Sequence, residues 1–126
     1  MKAILISLLS IGYLQANAEI LATAKCAGNP AIETALLPKK FDKPLVLTSG
    51  KEQLVEVVNG TSYIVTVHEA TEAAPKESIQ IKMLNPFNST VATAQIVNGV
   101  GAVRISTGPS PSLYYTVTCD VLVQHP

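Results

Sequence analysis

Polar and apolar residues alternate with period two along most of this 126-residue chain. That is the signature of β-strands with one buried face. In Ser78–Leu84 the inward set is Ile79, Ile81 and Met83, and Ser78, Gln80 and Lys82 face out. Near the start, Ile20, Ala22, Ala24 and Cys26 share one face; near the end, Leu113, Tyr115, Val117, Cys119, Val121 and Val123 do the same. Residues 44–48 form a further short strand candidate.

Two Asn-Gly dipeptides mark reversals, because this pair accepts the positive φ angles of a type I′ turn. Asn59-Gly60 predicts a hairpin of residues 53–58 with 61–69, and Asn98-Gly99 one of residues 90–97 with 100–107. In the second hairpin a two-residue loop sets Ala92 opposite Ile105, Ala94 opposite Val103 and Ile96 opposite Gly101. The other face then pairs Thr93 with Arg104 and Gln95 with Ala102. In the first, Leu54 meets Val65 and Val55 meets Ile64, so either both faces are partly buried or a bulge intervenes. Asn29-Pro30 can cap and start a short helix through residue 37, burying Ile32 and Leu36, with Pro38 ending it. Residues 70–76, 85–89 and 108–111 read as loops. About eight strands spaced by turns predict an all-β chain: one small antiparallel β-sandwich of immunoglobulin-like type.

The first 18 residues stand apart. Lys2, an apolar run from Ala3 to Leu14 and the tripeptide Ala16-Asn17-Ala18 have the order of a cleavable secretory signal. The run is too short for a transmembrane helix, which needs about 20 residues. Cleavage after Ala18 leaves a single domain, residues 19–126, secreted or periplasmic and with no membrane span. An oxidising destination predicts that Cys26 and Cys119 pair. Both cysteines lie on the apolar faces of their strands, so the bridge brings the first and last strands together.

Without Lys2 the chain carries eight basic residues against nine acidic ones. This dispersed, near-neutral charge gives no footprint for nucleic acid or anionic membrane. No motif asks for a metal or cofactor. His68 stands at a strand end and His125 in the C-terminal tail, too few for a converging ligand set. Adjacent His68 and Glu69 point to opposite strand faces. No serine sits in a G-x-S-x-G or S-x-x-K context. Glu52 and Glu56, on one face of a strand, would be about 13 Å apart, too far for paired-carboxylate chemistry. Tyr114, on the polar face of the last strand, is a single ring in a chain without tryptophan. Asn59-Gly60-Thr61 and Asn88-Ser89-Thr90 match the glycosylation sequon, which has meaning only in a eukaryotic secretory pathway.

These features favour a non-enzymatic binding or structural domain whose partner is another protein. β-strand addition at residues 52–58 is a candidate mode, although Lys51, Glu52 and Glu56 equally suit edge protection. The alternative is an enzyme inhibitor or a small-ligand or carbohydrate-binding module, with Gly108, Pro109, Ser110 and Pro111 as a stiff candidate binding loop. A small hydrolase built around His68 is the least favoured reading.

Overall fold

The computed structural model describes residues 20–34, 37–108 and 110–124. Its eight strands are β1 (Leu21–Pro30), β2 (Phe41–Thr48), β3 (Gln53–Val58), β4 (Thr61–His68), β5 (Ser78–Leu84), β6 (Ser89–Gln95), β7 (Val100–Thr107) and β8 (Tyr115–Gln124), with one 3-10 turn at Pro111–Leu113. They form two four-stranded antiparallel sheets, ordered β2-β1-β8-β7 and β3-β4-β5-β6. The β-sandwich expected from the strand spacing is thus present. The expected secretory signal, residues 1–18, lies outside the described residues.

The connections run simply up and down. Every strand lies beside its sequence neighbours except where β2 leads to β3 and β6 to β7, and there the chain crosses between sheets. The last strand returns to the first, in a ladder from Leu21 opposite Gln124 to Pro30 opposite Tyr115. Two packed antiparallel sheets make a small β-sandwich, and a meander threads it in place of the Greek-key connections of the immunoglobulin-like type.

Period-two alternation produces the core. Ala22, Ala24 and Cys26 on β1 and Val117, Cys119, Val121 and Val123 on β8 point inward, against Tyr63, Val65 and Val67 on β4 and Ile79, Ile81 and Met83 on β5. The small side chains of β1 offset the larger ones of the facing sheet, which keeps the layers close. Burying each Val or Ile contributes roughly 1.5–3 kcal/mol.

Both Asn-Gly turns form, with φ of 50° and 79° at Asn59 and Gly60 and 54° and 78° at Asn98 and Gly99. The first joins ladder partners. The second does not make the expected hairpin, since only Val97 and Val100 bridge across it. Beyond that rung β6 pairs with β5 and β7 with β8. The Ile96 amide donates to the Glu77 carbonyl at 2.8 Å, and that of Val123 to Gly99 at 2.7 Å, so each side of the turn is held by a different sheet. A type I′ turn fixes a reversal but not the number of rungs that follow it. Ile96 does meet Gly101, but as packing at the corner: a Cβ on Gly101 would lie 3.0 Å from Ile96 Cγ1.

Two further expectations need correction, and the choice left open for the first hairpin is decided in favour of a bulge. The helix at residues 30–37 is absent among the described residues: β1 runs through Pro30, Ala31 N–H donates to the Tyr114 carbonyl at 2.8 Å, and Ile32 is exposed. Pairing with β8 outcompetes a short helix whose start would have to break that ladder. Leu36 lies outside the described residues. Strand β2 begins at Phe41, three residues before the expected start. Finally, the irregularity in β3 is a bulge at Val55, with Glu56 opposite Tyr63 and Leu54 opposite Ile64. The extra residue turns Val55 fully into the core and separates Glu52 from Glu56. Glu56 sits opposite inward-facing Tyr63 and pairs with Lys43, whereas Glu52 reaches Lys82, on the outer face of β5.

Candidate functional site

The cysteines stand directly opposite each other on β1 and β8 and are bonded, with both side chains fully buried and Cα atoms 4.1 Å apart. The bridge lies within one sheet and closes the meander. Thiol exchange needs access to a sulfur, and neither is exposed, so its role is structural.

At one end of the sandwich Ser49 accepts a hydrogen bond from Ile20 N–H at 3.1 Å and donates to Glu69 Oε2 at 2.8 Å. Ser49 is buried, so this relay ties the start of the domain to the β2–β3 turn. His68, exposed at the end of β4, lies opposite Ser78 in the ladder. The pair lines an open recess with Gly50, Glu69, Lys76 and Thr93. The Glu69 carboxylate is held by Ser49, and no hydrogen bond links it to His68. His125 lies outside the described residues. No group of three His, Cys, Asp or Glu side chains able to hold a metal occurs among the described residues.

At the other end, Tyr115 donates its hydroxyl to the Lys39 carbonyl at 2.7 Å and so anchors the segment before β2. Gly28 is required beneath it. A Cβ there would clash with the Phe41 ring and come 2.5 Å from the Tyr115 hydroxyl. Burial pushes the pKa values of Tyr63 and Tyr115 up, and for Tyr115 the nearby Tyr63 and Glu56 add to the effect. These groups favour their neutral forms and act as packed side chains.

Asn59 and Asn88 both occupy exposed turns. The candidate loop at Gly108–Pro111 folds back on itself: Leu113 N–H donates to Ser110 O at 2.8 Å, and a Cβ on Gly108 would lie 2.5 Å from the Leu113 carbonyl oxygen. Pro109 and the Pro111 side chain lie outside the described residues. Tyr114, next to this loop, is partly exposed.

The four sheet edges differ sharply. Strand β2 carries Asp42, Lys43 and Pro44, and β3 carries its bulge. Lys43 Nζ reaches Glu56 Oε1 at 3.3 Å across the seam between these two edges. Bulges, prolines and charges are the devices that keep edges from pairing with foreign strands. Strand β7 carries Arg104. Strand β6, Ser-Thr-Val-Ala-Thr-Ala-Gln, has no charge, proline or bulge, and every residue in it is exposed or half-buried. Its ladder is filled only on the β5 side.

Just before it stands Phe87, 92% exposed, on a turn where Asn85 Oδ1 accepts from Phe87 N–H at 2.9 Å and Asn88 N–H at 3.0 Å. Sequence reasoning missed this edge because it assigned β7 as the partner of β6. The signal was compositional: seven strand residues free of charge, proline and glycine. No helix among the described residues is long and apolar enough to cross a membrane. No family model, curated protein or solved structure matches this chain.

Proposed function

We propose that this chain is an exported, non-enzymatic domain that works through contact with protein, using the β6 edge to add a strand from another chain. The observation that carries this reading is the uneven guarding of the edges: β2 and β3 are protected by proline, bulge and paired charge, and β6 is left open. An open edge offers a row of N–H and C=O groups, and an extended backbone is the ligand that satisfies them. The sequence alone suggested residues 52–58 for this role. The Val55 bulge and the engagement of Glu52 and Glu56 with lysines count against that edge and favour residues 89–95.

Export follows from the leader-like first 18 residues and agrees with a buried disulfide, which persists in oxidising compartments. The folded-back loop at Gly108–Pro111 supports a tight strand connection more than an inhibitory loop.

The test compares chains captured by immobilised wild-type protein and by a Val91→Lys/Thr93→Lys variant, both exposed substitutions on β6. Chains held by the wild type and lost by the variant support the reading. Capture that is identical for both, or absent for both, counts against it.

A further inference from the structure

We propose that Asn59 is a site of spontaneous covalent modification, where the side-chain amide is lost to give aspartate and isoaspartate, and that the fold protects Asn98 from the same reaction. The chain carries its own control, because Val58-Asn59-Gly60 and Val97-Asn98-Gly99 are the same tripeptide. In the reaction the backbone nitrogen of the glycine attacks Cγ of the asparagine. A C–N bond forms, the Cγ–Nδ2 bond breaks, and the glycine's amide proton leaves with the ammonia. Water then opens the five-membered succinimide. Cleavage of its bond to Cγ gives aspartate, and cleavage of its bond to the main-chain carbonyl carbon gives isoaspartate. Water enters and ammonia leaves, so the step needs no oxidant or reductant. Glycine is the favourable neighbour because it has no side chain to hinder ring closure.

Both asparagines are exposed and both turns are left-handed, so the difference lies in what holds each turn. In a type I′ turn the asparagine Cβ points away from the next backbone nitrogen, and the reacting atoms approach only after the turn opens. Asn59-Gly60 ends a hairpin whose first strand is the bulged edge β3, and the pair Val58 and Thr61 is the rung to break. Gly60 has open space around it. Among the described residues no backbone hydrogen bond reaches Asn59 or Gly60 from outside the hairpin. Asn98-Gly99 is clamped instead. Val97 and Val100 exchange two bonds of 2.8 and 3.0 Å, and the Gly99 carbonyl accepts from Val123 N–H at 2.7 Å. On the other side Ile96 N–H is tied to the Glu77 carbonyl. Opening this turn works against both sheets, whereas opening at Asn59 frays one hairpin end. The modification adds a carboxylate at that exposed tip. In the iso form it also puts the side-chain methylene into the backbone, which a two-residue reversal does not fit.

Ageing the disulfide-bonded protein in neutral buffer, with peptide mapping of both asparagines over time, tests this. A parallel sample in strong denaturant gives the two rates without the fold. There both sites should convert at closely similar rates, because the tripeptides are identical. In native buffer Asn59 should convert at least about tenfold faster than Asn98, the factor conferred by one additional hydrogen bond to break on opening. Amide exchange should rank the openings in the same order, faster at Thr61 than at Val100. Equal native rates, faster conversion at Asn98 or slower exchange at Thr61 than at Val100 overturns the inference. So does an Asn59 that stays intact in native buffer while it converts in denaturant.

Discussion

Cys26 and Cys119 show how much a single residue pair decides here. They close a loop of 93 residues' separation, and on the chain-entropy model such a closure stabilises by about 4–5 kcal/mol. Replacing both by alanine should therefore destabilise the fold by about 4 kcal/mol in urea unfolding and, because the denatured chain is freed to expand, steepen the dependence on urea. The pairing was legible because both sulfurs fall on apolar strand faces. The buried tyrosines were half legible: alternation turned Tyr115 inward but could not show its hydroxyl reaching Lys39.

Their titration gives a second prediction. Unfolded tyrosine loses its proton near pH 10, and burial raises the folded values of Tyr63 and Tyr115. Stability contributed by their neutral forms is complete below about pH 10 and is lost as pH rises through the folded values. Tyr63→Phe should flatten the alkaline fall in stability, measured by denaturant unfolding from about pH 9 to about pH 11. An unchanged slope would show that the phenol does not control it.

Among the elements, turns were easier to read than partners. Asn-Gly fixes backbone angles over two residues, a local property, so both reversals could be placed from the chain alone. Whether the following strands stay paired depends on what else offers a ladder. At Asn98-Gly99, β5 and β8 offer better ones, and the chain changes sheet. That β1 runs through Pro30 where a helix was expected to start has the same cause, because local capping signals at Asn29-Pro30 lost to pairing with β8. The bulge was foreshadowed by mismatched faces in the first hairpin, but its position required the register.

The two turns also differ in their surroundings. Gly60 has open space around it, whereas a Cβ on Gly99 would lie 3.2 Å from the Val123 carbonyl oxygen. Both adopt left-handed φ, so Gly60→Ala should cost about 1 kcal/mol and Gly99→Ala distinctly more. Thermal unfolding of the two variants checks the order; equal shifts would mean that β8 does not press on the second turn.

Over the whole molecule, the sandwich is a meander whose ends meet. Strand β8 lies between β1 and β7, so the fold is complete only when the last strand arrives. Linking the ends of the domain and opening the chain at Asn59-Gly60 should preserve the fold, since that turn is exposed and Leu21 pairs with Gln124. Far-ultraviolet circular dichroism and a retained cooperative transition would confirm it; a molten or insoluble permutant would mean that the first hairpin must form intact. Fold class was legible because period-two alternation runs through most of the strands. The candidate site was not, because an open edge depends on which strand ends up with a neighbour on one side only.

Amide exchange along the four edge strands tests the protein-contact reading most directly, with the protein alone at increasing concentration and mixed with the extracellular or periplasmic fraction of its cells. The reading predicts growing protection across Ser89–Gln95 in at least one series, with Phe41–Thr48 and Gln53–Val58 unchanged. Exchange at Ser89–Gln95 that stays fast in both series would contradict it.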